Sequence, residues 1–469
     1  MIKTSKPFLG EDFLLQTDAA VALYHQYAAP QPIIDYHNHL SPRDIALNRQ
    51  FNNLTEAWLE GDHYKWRAMR TLGIPEQYCT GAAGPREKFM KWAETVPHTL
   101  RNPLFHWTHL ELKNYFGIDR LLNPASAAFV FEECNARLQS SDYAVQPLLA
   151  KMNVKVVCTT DDPCDSLEYH RKLKNAAFTL LPTFRPDPIY NFSSAKSWNG
   201  YIDRLADAAG QSISSLTDLV DALQKRVDYF ASLGCRASDH GLEFLPYAPA
   251  GDAVAAALFN QLRNRQPLLP EQQLQLRTWL LLRLAEMYHT KGWAQQFHLG
   301  ALRNNNSRSI DTLGADTGFD SIGDFPQAAT LARFFDDLNG REKLAKTIIY
   351  NLNPADNEVF ASMIGNFNDG SHPGKIQYGA AWWFLDQKDG MEKQLNALSN
   401  LGLLSQFIGM VTDSRSFLSF PRHEYFRRTL CNLLGSEMER GELPDDLELI
   451  GRLVGNICYH NVQKYFDLG

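Results

Sequence analysis

Two histidines one residue apart, His37 and His39, stand near the end of the stretch IIDYHNHL, and far along the chain Asp413 and Arg415 stand in VTDSRSF. Two imidazoles and a carboxylate suit Zn2+ or a similar borderline divalent ion. With 14 histidines in 469 residues, chance alone supplies on the order of 0.4 His-x-His pairs. The pair therefore acquires meaning only from its context. It follows a β-branched run, and alternation along a strand points both rings the same way. Other ionisable and aromatic residues share this placement at or just after an apolar run. They are Asp161 and Asp162, Arg185 and Asp187, Asp239 and His240, His298 and Arg303, Trp382 and Trp383, and Asp413 and Arg415.

Such a set offers acid–base groups, guanidinium forks for a carboxylate, and an aromatic face for a sugar. The elements that carry it are eight short runs: 33–39, 154–163, 178–187, 235–241, 294–306, 346–354, 376–384 and 404–415. The run 235–241 is the poorest in strand-forming residues. Between most of them lie stretches with helical spacing of apolar residues, at 199–209, 216–233, 271–290, 326–340, 355–365 and 391–402. Gly234, Gly292 and Gly340 mark helix ends. Strands alternating with helices predict a parallel sheet, and eight of them predict an α/β fold of the (β/α)8 TIM type. In such a barrel the chemistry sits at the C-terminal strand ends, and the first and eighth strands are neighbours. Asp413 then becomes the third ligand beside His37 and His39. The competing readings are two exposed loop histidines and an Asp413 that caps a helix.

About 110 residues separate the first two runs, far more than a usual βα connection. Residues 44–150 are rich in Trp, Leu, Glu and Lys. They are expected to form a helical insertion over one end of a single barrel domain spanning 1–469.

Hydrophobic residues make up 44% and charged residues 21%, with a net charge of −7. That balance counts against a nucleic-acid or anionic-membrane surface. The start, MIKTSKPFLGEDFLLQ, has neither a sustained apolar run nor a small-residue cleavage site. Nowhere is an apolar stretch long enough to span a bilayer. Seven scattered cysteines with no Cys-x-x-Cys favour reduced thiols and a cytoplasmic location.

Longer blocks carry a resemblance. GDHYKWRAMR, FRPD, HLGALRNNN, DTGFDSIGD, NEVFASMIGNF, WWFLDQKDGM and TDSRSFLSFPRHEYFRR, together with DYHNHL, resemble the uronate isomerase family within the amidohydrolase superfamily. The blocks run from about residue 30 to the C-terminus. The resemblance implies interconversion of D-glucuronate with D-fructuronate, and of D-galacturonate with D-tagaturonate, in hexuronate catabolism. It implies His37, His39 and Asp413 at one metal site, expected to hold Zn2+. It assigns Tyr64 and Asp413 to proton transfer, and His63, Arg185 and Arg415 to substrate binding.

The residues themselves leave alternatives beside these roles. Tyr64 reads equally as a packed aromatic, Arg185 as a surface ion pair, and Arg415 as a partner of Asp413. His298 reads as a metal contact, a substrate hydrogen bond or a core histidine. One of Trp382 and Trp383 is expected to face the pocket, with Trp382 taken as the substrate contact, and the other the core. Asn304 to Asn306 are loop structure or sugar contacts. Asn353 stands where many superfamily members place a further histidine, which favours one metal over two. The alternative function is a mononuclear metal hydrolase of the same superfamily. The partner is a small hexuronate, and a homo-oligomer is expected.

Overall fold

The computed structural model describes residues 6–173 and 176–468. The first five residues of the N-terminal stretch and the last residue of the expected 1–469 domain lie outside the described residues. Strands β1 (Ile33–Asp35), β2 (Val154–Asp161), β3 (Thr179–Phe184), β4 (Ala237–Leu242) and β5 (Ala294–Leu299) follow in chain order. A short ribbon of β6 (Ala301–Leu302) and β7 (Ser321–Ile322) comes next, then β8 (Lys346–Asn351) and β9 (Ile376–Tyr378). Among the described residues one sheet has seven strands in the order β1-β2-β3-β4-β5-β8-β9, all paired parallel. The ribbon is antiparallel. Every residue of β5 and of β8 is buried, as expected of parallel strands covered on both faces.

The eighth run is where the structure departs from the expectation. Residues 407–413 join no ladder. They nonetheless lie between the two edges of the sheet. Gln377 of β9 donates to Gln406 O at 3.0 Å. On the other side Tyr36 Oη donates to Gly409 O at 3.2 Å. Asp413 N donates to His37 O at 3.2 Å, and His39 N to Ser414 O at 3.0 Å. The reason for the missing ladder is local: Gly409 at φ +76° and Asp413 at φ +43° break the extended path. The architecture is thus an α/β barrel with seven regular strands and a kinked eighth segment.

Apart from β4, which runs to Leu242, strands also end earlier than the runs suggested. β1 stops at Asp35, so His37 and His39 lie just beyond it, while Asp239, His240 and His298 lie inside β4 and β5. Helices fill the intervals. Pro270–Lys291 ends on Gly292 in the left-handed region, which a glycine adopts without Cβ strain. Gly340, by contrast, is the last residue of its helix, and Arg341 caps it.

Between β1 and β2 the chain is helical, from Pro42–Ala46 through Val145–Lys151. One of these helices, His63–Thr71, starts at an aspartate cap. Asp62 Oδ1 accepts from Tyr64 N and Lys65 N, both at 3.0 Å, and this fixes where His63 and Tyr64 project. The helix Pro421–Glu439 was absent from the sequence-based expectation. Its Arg427 donates to Gln31 O at 2.7 Å and Pro32 O at 2.6 Å, holding the chain that leads into β1.

Candidate active site

A cavity of about 610 Å³ opens at the C-terminal ends of the strands. His37, His39, His63, Tyr64, Arg185, His298, Trp382, Asp413 and Arg415 all line it. These are the residues singled out in the sequence, gathered from four strands, the kinked eighth segment and the helical stretch between β1 and β2.

At its floor, Asp413 Oδ1 lies 3.1 Å from His37 Nε2 and 3.1 Å from His39 Nε2. Thr160 at the end of β2 sets the tautomer of His39. The hydroxyl donates to Asn38 O at 2.5 Å, so it accepts from His39 Nδ1 at 2.7 Å. The lone pair of Nε2 then faces the carboxylate. Two lone pairs that close call for a cation between them, and two imidazoles with one carboxylate suit a borderline divalent ion. The residues present fit such an ion. His37, Asp239 and His298 form a second, overlapping donor group. There Asp239 is already committed: Oδ1 lies 2.7 Å from His298 Nδ1. Arg185 Nη1 is 2.8 Å from Asp239 Oδ2, near enough for charge attraction but not aligned as a hydrogen bond. This leaves His298 Nε2 buried, unpartnered and at the cavity floor. A satisfied core histidine does not match that state.

Burial opposes charge throughout the floor. For Asp413 the two histidines more than offset it, and its carboxyl is held well below the ordinary carboxylate range. For Asp239, Arg185 and His298 do the same. Burial lowers His298 and takes His39 down to about 4, against the pull of neighbouring carboxylates. It also pushes Asp161 up to about 7 and Tyr64 well above the ordinary phenol, Arg422 opposing the latter.

The arginines divide into two kinds. Arg185 Nε donates to Asp187 at 2.8 Å and its Nη1 faces Asp239, so two carboxylates already neutralise it. It is not a surface ion pair; its side chain is 22% exposed and lines the cavity. Arg415 and Arg303 are each 38% exposed and share Asp316, at 3.1 Å and 3.6 Å. Arg415 thus pairs with Asp316 rather than with Asp413. Nor does Asp413 cap a helix, since the next one begins at Pro421.

Trp382 and Trp383 both line the cavity, contrary to the expectation of one facing the core. Trp383 adopts φ +51°, which breaks the alternation that would have separated them. Trp382 sits edge-on to His298 at 4.7 Å, and Trp383 edge-on to His63 at 5.4 Å. Asn304 to Asn306 prove to be loop structure. Asn304 N donates to Asp320 at 2.7 Å, Asn305 Nδ2 to Ser321 at 2.8 Å, and Asn306 caps the helix Ser307–Leu313.

A sequence model of the glucuronate isomerase family matches residues 5–466. The chain is 54% identical over 465 residues to a uronate isomerase of Flavobacterium johnsoniae, covering 99% of both chains. It is 55% identical over 466 residues to one of Phocaeicola vulgatus, covering 98% of this chain and 100% of that one. Among solved structures, the uronate isomerase of Thermotoga maritima superposes with a TM-score of 0.92 at 34% identity, covering 98% of this chain and 99% of that one. The glucuronate isomerase of Caulobacter crescentus gives 0.91 at 25% identity, covering 98% and 97%. Nearly end-to-end agreement in sequence and in fold places the chain in the glucuronate isomerase family.

Proposed function

We propose that the protein interconverts D-glucuronate with D-fructuronate, and D-galacturonate with D-tagaturonate, by moving a proton between C2 and C1. The observation that carries this reading is that one cavity is lined both by the part-exposed guanidinium groups of Arg415 and Arg303 and by His37, His39 and Asp413. A uronate presents the matching pair of groups, a carboxylate at C6 and the reacting carbonyl at C1. Arg415 with Arg303 binds the carboxylate through charge-assisted hydrogen bonds. Arg185, already neutralised, holds the floor in shape and touches substrate through its remaining donors. His63, His298 and Trp382 complete the binding wall.

Tyr64 and Asp413 carry the protons. An enediolate forms as C2 loses its proton; C1 then gains a proton, and the proton leaving the C2 hydroxyl is balanced by one gained at the C1 oxygen. One divalent ion, Zn2+, held by His37, His39 and Asp413, would supply electrostatic stabilisation to developing oxyanion charge. Residues 44–150 act as an insertion within one barrel domain, delivering His63 and Tyr64 to the mouth. Seven free cysteines, most of them buried, suit a reducing cytoplasm, and a homo-oligomer is the expected assembly.

Turnover of D-glucuronate in deuterated water, followed by NMR, tests the reaction. Ketose labelled at C1 is the expected product. Absence of turnover with both hexuronates would overturn the assignment.

A further inference from the structure

Behind Tyr64 lies a buried cation that lines no part of the cavity. Arg422, the second residue of the helix Pro421–Glu439, is 2% exposed. Its guanidinium carbon is 4.0 Å from the ring centre of Trp107 and 5.6 Å from that of Tyr64. Trp107 stands edge-on to Tyr64 at 6.2 Å. The same guanidinium reaches the other side of the site. Nη1 donates to Thr412 O at 3.3 Å, and Thr412 immediately precedes Asp413. The far side of Thr412 is also held: its N and hydroxyl donate to Asp35, at 2.8 Å and 2.6 Å.

Stability alone does not account for this cation. Its shortest carboxylate contact, Asp386 Oδ2, is 3.5 Å away, its Nε is buried without a partner, and Asp62 and Glu111 add their attraction without a hydrogen bond to it. Replacing such a buried charge by a well-packed apolar side chain is often neutral or stabilising. What a guanidinium supplies that an apolar group cannot is a flat face for aromatic rings together with in-plane donors. Here the guanidinium carbon lies 5.6 Å from the ring centre of an insertion-borne tyrosine, and a donor meets the backbone beside Asp413.

We infer that Arg422 is a positioning residue that sets the Tyr64 ring relative to Asp413. The inference rests on the reading that Tyr64 and Asp413 move protons. Small displacements of reacting groups cost rates heavily, by about a hundredfold for 1 Å. Arg422 touches no substrate-facing surface, so its loss acts on turnover rather than on binding.

The test compares Arg422→Met, Arg422→Lys, Tyr64→Phe and the Met/Phe double variant, with folding checked by near-ultraviolet circular dichroism. Expected for Arg422→Met is a fall in kcat of roughly a hundredfold with KM changed less than about threefold. Arg422→Lys is expected to recover only a small part, because an ammonium offers no flat face. If Arg422→Met does not fold, Arg422→Lys carries the same comparison. In the Tyr64→Phe background, the residual turnover should fall little further when Arg422 is also changed. Full additivity of the two losses, or wild-type kcat in a folded Arg422→Lys, overturns the inference while leaving the proton-transfer reading intact. Wild-type kcat in Tyr64→Phe overturns that reading and the inference with it.

Discussion

Arginine and carboxylate are paired throughout this cavity, and the pairing separates residues of the same type by what they remain able to do. Arg185 is engaged by Asp187 and Asp239, whereas Arg415 and Arg303 share the exposed Asp316, with Asp320 a further 3.7 Å contact of Arg303. A substrate carboxylate competes with Asp316 on better terms than with the buried Asp239. Hydrogen bonds to charged groups contribute about 1.5–3 kcal/mol each. Arg415→Met and Arg303→Met should therefore each raise KM for D-glucuronate roughly ten- to hundredfold, with a smaller change in kcat. Initial-rate kinetics decide this; an unchanged KM in both would remove them from the carboxylate subsite. At this scale the sequence was readable because chemistry-bearing residues stood directly after apolar runs. Arg422 was not, because it lies on a helix and follows no strand, and Asp386, two residues past the run 376–384, shows its role only through its contact with Arg422. The only trace of Arg422 was the density of charge in PRHEYFRR, on a helix whose Arg422, Arg427 and Arg428 are all buried.

Helices His63–Thr71 and Pro103–Phe116 carry a buried charge cluster that couples Tyr64 to pH through stability. Lys65 Nζ lies 2.5 Å from Asp62 Oδ2, and this pair sits near Glu111, whose Oε2 is buried without a partner. Burial pushes the Glu111 carboxyl up to about 7, with Lys65 and Arg422 opposing. In the unfolded chain the same carboxyl ionises near 4.3. Raising pH through this window therefore favours the unfolded chain, by about 4 kcal/mol once both values are passed. The contribution is fully favourable below the unfolded value and is lost as pH rises toward 7. Glu111→Gln should consequently be more stable than the parent at pH 8, by up to about 4 kcal/mol, and no more stable at pH 4. Urea denaturation at the two pH values measures the difference, and an equal difference at both would contradict the assignment. The composition of residues 44–150 predicted a helical insertion without placing these two helices. It did not reveal that their polar residues face inward, because a buried ion cluster and a solvated face have the same spacing.

Closure of the barrel depends on parts of the chain far apart in sequence, and two glycines show how. Seven of the eight expected runs form strands, even 235–241, the poorest in strand-forming residues, but the eighth, 404–415, proved to be a kinked segment fixed by tertiary contacts. Its Gly409, at φ +76°, has Ile457 O 2.5 Å from where a Cβ would stand. Gly435 closes another seam: a Cβ there would lie 2.3 Å from Ala20 N and 2.5 Å from Ala20 Cα. Neither obstruction is a flexible side-chain end, so alanine at either position forces backbone to move, at a typical cost of about 1–3 kcal/mol. Gly409 adds the strain of a left-handed Cβ residue. The consequences for activity should diverge. Gly409 lies four residues before Asp413, in the segment whose kink aims that carboxylate at His37 and His39. Gly435 lies on the outer helix that braces the N-terminal segment and lines no part of the cavity. Gly409→Ala should thus lower both the thermal midpoint and kcat of the folded protein. Gly435→Ala should lower the midpoint alone. Thermal melts beside kinetics at a temperature where both variants are folded separate the two cases, and equal losses of kcat would show that the eighth segment has no special hold on Asp413.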